Sequence, residues 1–226
     1  MAAAVGAAHA APALCAWSAP ARRVFAVRDR IDDPRAVALT FDDGPHEHGT
    51  PAVLEVLREA GAVATFFLVG EQVRRRPALA REIVAAGHAV AVHADRHRNL
   101  LRLSPAAVRA DLERAEATIL DAVGAVAPLY RPPYGVLSTA GVRHARSRGW
   151  EIVLWARWGR DWRARATPAS VARDAAAGLR GGEVVLLHDS DAYAAAGAWA
   201  TTVRALPEIL ERIAAAGLVT RSVADR

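Results

Sequence analysis

The feature that most constrains the fold is a regular alternation of short apolar runs with amphipathic stretches from residue 36 onward. The apolar runs are rich in Val, Leu and Ile and are short, which predicts buried strands. Strands that alternate with helices form mostly parallel sheets, because each helix carries the chain back across the sheet. We therefore expect an α/β fold, as an open sheet or a closed barrel, with seven parallel strands at 36–41, 64–69, 89–93, 128–131, 151–155, 183–188 and 218–222.

The stretches between these strands carry residues typical of helix ends. Thr50, Ser104 and Thr167 each precede a proline, and a hydroxyl N-cap followed by proline in the first turn favours a helix start. Gly61 and Gly217 stand where helices are expected to end. In either architecture, the functional residues are expected at the carboxyl ends of the strands.

Composition is that of an ordinary globular protein. The 226 residues are 53% hydrophobic and 23% charged, which suffices for one substantial core. The net charge is +5, and all 29 basic residues are Arg, but no long basic arm suggests a nucleic-acid partner. The single cysteine, Cys15, excludes an intrachain disulfide.

The N-terminal segment differs from the rest of the chain. Residues 2–21 carry no charged side chain. A signal peptide requires a basic residue before its apolar stretch, and none is present here. Prolines within the stretch argue against a membrane-spanning segment. We expect an N-terminal tail over 1–34, either a loose tail or the remnant of a signal or membrane segment, and one catalytic domain over 35–226. Any membrane association is expected through the tail alone.

Ionisable side chains collect where the predicted strands end. Carboxyl ends of parallel strands meet at the same edge of a sheet, so these side chains are expected to lie close together. They are Asp42 and Asp43 after the first strand, His93 and His97 at the third, Arg131 at the fourth, Asp161 after the fifth and His188 at the sixth.

The spacing of His93 and His97 predicts a metal site. Four residues apart, two imidazoles lie on one helical face or converge from a turn. A carboxylate from Asp42 or Asp43 would complete a three-ligand catalytic site with an open position for water. In isolation, the histidines fit a polar loop and the Asp-Asp-Gly-Pro sequence fits a turn. The prediction depends on their occurring together.

Five motifs resemble those of the polysaccharide deacetylase (NodB homology) domain, a family of metal-dependent carbohydrate esterases. They follow the family's order and approximate spacing over roughly residues 35–222. The resemblance implies a single distorted (β/α) barrel, often of seven strands, which agrees with the count above. The motifs are TFDDGP (40–45), HADRH (93–97), RPPYG (131–135), WGRDW (158–162) and LLHD (186–189).

The resemblance implies a metal site with an adjacent base. Asp43, His93 and His97 would bind a divalent metal, usually Zn²⁺, with Co²⁺ or another divalent ion as alternatives. Asp42 would be the catalytic base, and Arg131 its electrostatic partner.

The resemblance also implies a general acid and an acyl pocket. Asp161 would polarise His188, the acid that protonates the leaving amine. The backbone N–H of Tyr134 would help to hold the oxyanion, and Leu186 would line the pocket for the acetyl methyl.

Two positions depart from the family pattern. Ala94 replaces a small hydroxyl residue, so a hydrogen bond near the metal is missing, and Trp158 replaces an aspartate. Trp158 and Trp162 are candidates for stacking on sugar rings or for loop packing alone, in equal measure. Trp150 and Trp155 are expected in the core.

The predicted function is removal of N-acetyl groups from an amino-sugar polysaccharide or oligosaccharide. One alternative is a deformylase or deacylase of a small or lipid-linked amino sugar. Another is a glycan-binding pseudoenzyme that has lost turnover. Every predicted catalytic position carries the residue expected of an active enzyme, which argues against this alternative. The resemblance favours a cell-envelope, periplasmic or secreted location.

Overall fold

The computed structural model describes residues 8–225, and within this range nine strands form a single sheet. Residues 1–7 of the predicted tail lie outside the described residues. The strands are β1 Val27–Arg28, β2 Ala36–Asp42, β3 Ala64–Val69, β4 Ala89–Ala94, β5 Leu129–Tyr130, β6 Glu151–Val153, β7 Arg157–Trp158, β8 Val184–His188 and β9 Val219–Thr220.

Helices surround the sheet and separate most of the strands. Across residues 8–225, no helix is long and apolar enough to span a membrane. Short 3₁₀ turns occupy Ala11–Ala16, Leu100–Arg102 and Pro133–Gly135. The α-helices with described bounds are α1 Ala19–Phe25, α2 Gly49–Glu59, α3 Gly70–Arg75, α4 Pro77–Ala85, α5 Pro105–Val123, α6 Thr139–Ser147, α7 Pro168–Ala176 and α8 Ala198–Ala215.

The strands are parallel, in the order β1-β6-β5-β4-β3-β2-β8-β7, and β9 pairs with β2 beside this path. The short segment 151–158 contains both β6 and β7, which pair near opposite ends of this order. The backbone N–H of Val184 in β8 also donates to the carbonyl oxygen of Asp29, just after β1, at 3.2 Å. The sheet therefore curls into a distorted (β/α) barrel, and the predicted fold class is confirmed.

The seven predicted strands are all present, with shorter bounds at several ends. Every residue of β2 and β3 is buried, as expected for strands covered on both faces. Two strands were not predicted, β1 and β7, each of two residues and each containing an arginine. Such short, charged segments carry no apolar run that a sequence pattern could detect.

The long helix α5 shows how sequence periodicity places a helix on the barrel. Its residues Val108, Leu112, Ala115 and Ile119 recur every three or four positions and are all buried against the sheet. Its N-cap is Ser104, whose hydroxyl accepts a hydrogen bond from the backbone N–H of residue 107 at 3.2 Å, as predicted. Thr167 caps α7 in the same way.

The predicted N-cap role of Thr50 is wrong, because α2 starts earlier, at Gly49 after the N-cap residue His48. The hydroxyl of Thr50 instead donates to the buried carboxyl group of Asp189 and accepts from the backbone N–H of His46. A tertiary partner has thus replaced the local cap. The contact ties the loop after β2 to the end of β8.

Candidate active site

The carboxyl ends of neighbouring strands bring the predicted residues together. Strands β2 and β8 pair in a register that places Asp42 opposite His188. On the other side, Val92 of β4 pairs with Tyr130 of β5, so His93 and Arg131 follow at adjacent positions. The site is therefore assembled by strand register, before any side-chain contact is considered.

Asp43, His93 and His97 form a compact cluster of potential metal ligands. Asp43 Oδ1 lies 3.4 Å from His93 Nε2 and 3.3 Å from His97 Nε2, and the three atoms lie within 4.8 Å of one another. Asp43 Oδ1 is buried and has no hydrogen-bond partner among residues 8–225. A buried acceptor without a donor costs free energy, which a cation would offset. Two imidazole nitrogens and one carboxylate oxygen suit a divalent metal such as Zn²⁺.

The protonation states of this cluster also fit a metal. Burial lowers the pKa of His97 to about 4, against the opposing charge of Asp43, so the imidazole is neutral at pH 7. Burial raises the pKa of Asp43, but the histidines around it, His93 first among them, outweigh this and lower the pKa to about 2. A neutral imidazole and an ionised carboxylate are the forms that bind metals.

The backbone around the two aspartates turns their side chains in different directions. Asp43 adopts a left-handed conformation with φ of 78°, directly after the end of β2. This conformation is uncommon outside glycine, although aspartate tolerates it better than most residues. It directs the Asp43 carboxylate towards the histidines, while Asp42 keeps the strand conformation and meets a different partner.

That partner is Arg131, which is fully buried. Its Nη1 donates to Asp42 Oδ1 at 2.7 Å and to Thr40 Oγ1 at 2.8 Å, and its other nitrogens donate to the carbonyl oxygens of Val153 and Leu154. Burial lowers the pKa of Arg131, whereas the Asp42 carboxylate raises it. Arg131 thus fixes one oxygen of Asp42, and the other, Oδ2, lies 4.0 Å from His93 Nε2.

His188 lies next to the cluster and is held by Asp161. Its Nδ1 donates to Asp161 Oδ1 at 2.9 Å, and its backbone N–H donates to Asp161 Oδ2 at 2.7 Å. The hydroxyl of Thr202 donates to the same Oδ2 at 2.7 Å. Burial opposes the charged imidazole, but Asp161 and the other carboxylates raise the pKa of His188 to about 10. His188 therefore carries a proton at neutral pH, and its Nε2 lies 3.9 Å from Asp43 Oδ2.

A cavity of about 320 Å³ opens over these groups. All four predicted substrate-binding residues line it: Tyr134, Leu186, Trp158 and Trp162. Leu186 is buried, whereas the Tyr134 side chain is 57% exposed at the mouth, where its backbone takes a φ of 60°. Predicted metal ligands, acid, base and substrate contacts thus share one cavity.

Two further aromatic residues line the cavity, Trp155 and Tyr193. Trp155 was expected in the core, but it is half-buried and faces the cavity as well as the core. Its ring is the first of four neighbouring rings, followed by those of Trp158, Trp162 and His188. The centroids of successive rings lie 5.9, 5.4 and 5.6 Å apart. Trp155 ends a predicted strand, and residues at strand ends are expected to line the site, so the sequence did contain an indication of this position. Trp150 is buried, as expected.

Tyr193 is the second such residue, and it contacts a predicted metal ligand. Its ring is stacked on that of His97, with centroids 4.4 Å apart and planes 14° apart. Tyr193 follows the LLHD motif within four residues, which places it near the site but does not indicate the stacking.

Sequence and structure comparisons agree with the motif resemblance. The sequence model of a family described as "Polysaccharide deacetylase" matches residues 29–153, more than half of the 226-residue chain. The chain belongs to the polysaccharide deacetylase family. This membership confirms the family predicted from the motifs and places the protein among the carbohydrate deacetylases.

Individual relatives extend the similarity beyond the matched segment. A chitooligosaccharide deacetylase from Bradyrhizobium sp. (strain ANU 289) is 39% identical over 170 residues, which cover 74% of this chain and 77% of the relative. A peptidoglycan-N-acetylglucosamine deacetylase from Bacillus cereus is 34% identical over 166 residues, covering 70% and 74% respectively. A family 4 carbohydrate esterase from Streptomyces lividans, solved in complex with acetate, superimposes with a TM-score of 0.74 at 31% identity, covering 83% of this chain and 92% of the esterase.

Proposed function

We propose that the protein hydrolyses N-acetyl groups from amino sugars in a polysaccharide or oligosaccharide, using a divalent metal held by Asp43, His93 and His97. The observation that carries this proposal is the convergence of three ligand atoms within 4.8 Å, between a carboxylate and a protonated imidazole. The names of the two deacetylases above support the substrate class, since one names chitooligosaccharides and the other the N-acetylglucosamine of peptidoglycan.

The metal would be Zn²⁺ in the first instance, with Co²⁺ or another divalent ion as alternatives. When bound, such an ion polarises an amide carbonyl and lowers the pKa of a water molecule to about 7. The chain's contribution is to hold the ligands in the required protonation state. His93 Nδ1 donates to the carbonyl oxygen of Arg131 at 2.7 Å, which leaves Nε2 with the lone pair that faces Asp43.

Asp42 is the proposed general base. Arg131 occupies Oδ1 and leaves Oδ2 towards the cavity, so the carboxylate has one oxygen free to take a proton from the attacking water. The buried guanidinium fixes the orientation of the Asp42 carboxylate. A base positioned in this way contributes typically 10²- to 10⁴-fold to the rate.

His188 is the proposed general acid. The leaving amine needs a proton, and His188 holds one on Nε2 because Asp161 accepts from the opposite ring nitrogen. Thr202 and the His188 backbone N–H bind the second oxygen of Asp161, so the carboxylate cannot swing away. Acid and base thus both lie beside the proposed metal ligands, with His188 Nε2 3.9 Å from Asp43 Oδ2 and Asp42 Oδ2 4.0 Å from His93 Nε2.

The remaining cavity residues are proposed to bind the substrate. The 3₁₀ turn Pro133–Gly135 would present the backbone N–H of Tyr134 to the developing oxyanion, an interaction typically worth about 3 kcal/mol. Leu186 would contact the acetyl methyl group. Trp158 and Trp162 would pack against the sugar, with their rings tilted by 59° to each other at the side of the cavity.

The direct test is release of acetate by the purified protein from N-acetylated chitooligosaccharides and from peptidoglycan fragments, with Zn²⁺ or Co²⁺ added. We expect acetate release that disappears with a chelator and returns with metal. Formate but no acetate from the matching N-formylated glycans would favour a deformylase. Bound metal without turnover on either series would favour a glycan-binding protein and contradict the proposal.

A further inference from the structure

The two histidines of the metal cluster are held by different means. His93 is oriented by its hydrogen bond to the carbonyl oxygen of Arg131 at 2.7 Å. His97 has no such bond, because its Nδ1 is buried and has no hydrogen-bond partner within residues 8–225. Metal-binding histidines almost always donate their second ring nitrogen to an acceptor, so His97 needs another means of orientation.

Aromatic rings contact His97 on two sides. Tyr193 stacks face to face on the imidazole, with ring centroids 4.4 Å apart, and Tyr134 meets it edge-on at 4.3 Å. Tyr134 lies at the exposed mouth of the cavity. Tyr193 is half-buried, so its contact is the better defined of the two.

Tyr193 is itself anchored at its hydroxyl group. The hydroxyl donates to Glu71 Oε1 at 2.6 Å and accepts from Gln72 Nε2 at 3.0 Å. Both residues belong to α3, and Gln72 is fixed in turn by Arg76, which donates to its side-chain oxygen at 2.9 Å.

The helix that anchors Tyr193 also contacts the loop that carries His97. The backbone N–H of Glu71 donates to the carbonyl oxygen of Asp95 at 2.9 Å, two residues before His97. One short helix thus fixes both the main chain of the ligand and the ring stacked on its side chain. A flat aromatic face parallel to the imidazole restricts rotation of that ring about its bond to Cβ.

We propose that Tyr193 is a positioning residue for the metal ligand His97, and that Glu71 and Gln72 hold Tyr193 in this role. The inference rests on the proposed metal site. It assigns to stacking the orienting function that a hydrogen bond performs for His93. Loss of the stacked ring lowers metal affinity even when no substrate is present.

The test is Zn²⁺ binding to the full-length, metal-stripped protein, measured by competition with a chromophoric chelator in the absence of substrate. For Tyr193→Leu, which removes ring and anchor, we expect the dissociation constant to rise about 10- to 100-fold, the range for residues that orient metal ligands. Tyr193→Phe keeps the ring and loses only the hydroxyl, so its affinity should lie between those of wild type and Tyr193→Leu. Trp162→Leu is the matched control, because it removes a cavity ring that contacts His188 rather than His97, and its Zn²⁺ affinity should equal that of wild type.

A double-mutant cycle tests the anchor separately. Glu71→Ala should weaken Zn²⁺ binding in the wild-type background and have little further effect in Tyr193→Phe, where the hydrogen bond is already absent. Thermal unfolding of each metal-free variant shows whether it folds. If Tyr193→Leu does not fold, the comparison of Tyr193→Phe and Glu71→Ala with the wild type tests the proposal. The Co²⁺ form adds a second readout, since its visible absorption spectrum should change in Tyr193→Leu and not in the control.

The outcomes separate this inference from the proposed function. Equal Zn²⁺ affinity in wild type, Tyr193→Leu and Tyr193→Phe would overturn the role of Tyr193 and leave the metal site intact. Unchanged affinity combined with slower acetate release would make Tyr193 a substrate contact instead, which also overturns it. Failure of the wild-type protein to bind any divalent metal would overturn both proposals together.

Discussion

At the scale of single residues, adjacent carboxylates are costly unless each has its own positive or proton-donating partner. Asp42 binds the buried guanidinium of Arg131, whereas Asp43 turns through a left-handed conformation towards two histidines. One backbone torsion angle therefore separates two side chains that the sequence places side by side. Their environments differ enough that substitutions at the two positions should have different consequences.

The first prediction separates these two roles. Asp43→Ala should lose both bound metal and activity, because it removes a ligand. Asp42→Asn should retain metal and lose about 10²- to 10⁴-fold in activity, because the amide cannot accept the proton. Elemental analysis of the purified variants, together with acetate release, distinguishes the two. Near wild-type turnover by Asp42→Asn would remove Asp42 as the base.

The second prediction concerns the proton on His188. The folded protein raises the pKa of His188 to about 10, chiefly through Asp161 acting against burial, so the acid is protonated at neutral pH and loses its proton only in alkaline solution. Asp161→Asn removes the negative charge and should shift the alkaline limb of the kcat–pH profile to lower pH, by about 1–3 units. An Asp161→Asn profile that coincides with that of the wild type would show that Asp161 does not control this proton.

At the scale of secondary-structure elements, the loop that carries His97 depends on α5. Asp111 of α5 is fully buried, and its carboxylate accepts from the backbone N–H of Asp95 at 2.9 Å and from the side chain of Arg98. Asp95 in turn pairs with Arg74 of α3. Residues on both sides of His97 are thus held by side chains from neighbouring helices.

The third prediction follows from this arrangement. Asp111→Ala leaves a buried backbone N–H and the Arg98 guanidinium without their acceptor, so the free energy of unfolding should fall by about 1–3 kcal/mol. Zn²⁺ affinity should fall with it, because the His97 loop loses its support. Urea unfolding and metal titration measure the two effects. Asp121→Ala, at an exposed position on the same helix, should stay within about 0.5 kcal/mol of the wild type. Equal stability of both variants would contradict the supporting role of Asp111.

At the scale of the whole molecule, the sequence predicts the barrel well and the contacts across it poorly. Apolar runs reveal strands, and strand ends reveal the residues of the site, because both depend on local order along the chain. The stack of Tyr193 on His97 joins residues that lie 96 positions apart, and the contact of Thr50 with Asp189 joins residues 139 apart. Such contacts depend on side-chain packing after the sheet has closed, which no local pattern encodes.

The proposed metal site joins separate strands of the barrel, so a bound ion is expected to stabilise the whole fold. Asp43 follows β2, and His93 and His97 lie at the end of β4 and in its following loop, so one ion would link two parts of the sheet separated by β3. A ligand that binds only the folded state at 100 times its dissociation constant adds about 2.7 kcal/mol to the free energy of unfolding.

The fourth prediction is therefore that stripping the metal lowers Tm by roughly 5–10 °C, the shift expected for a free-energy change of this size in a domain of this length. Differential scanning calorimetry with and without a chelator measures the effect. Asp42→Asn should show the same shift, because it keeps the three ligands, whereas Asp43→Ala should show a much smaller one. A chelator-insensitive Tm in the wild type, or an equal shift in Asp43→Ala, would mean that the stabilising ion binds elsewhere than at the Asp43, His93 and His97 cluster.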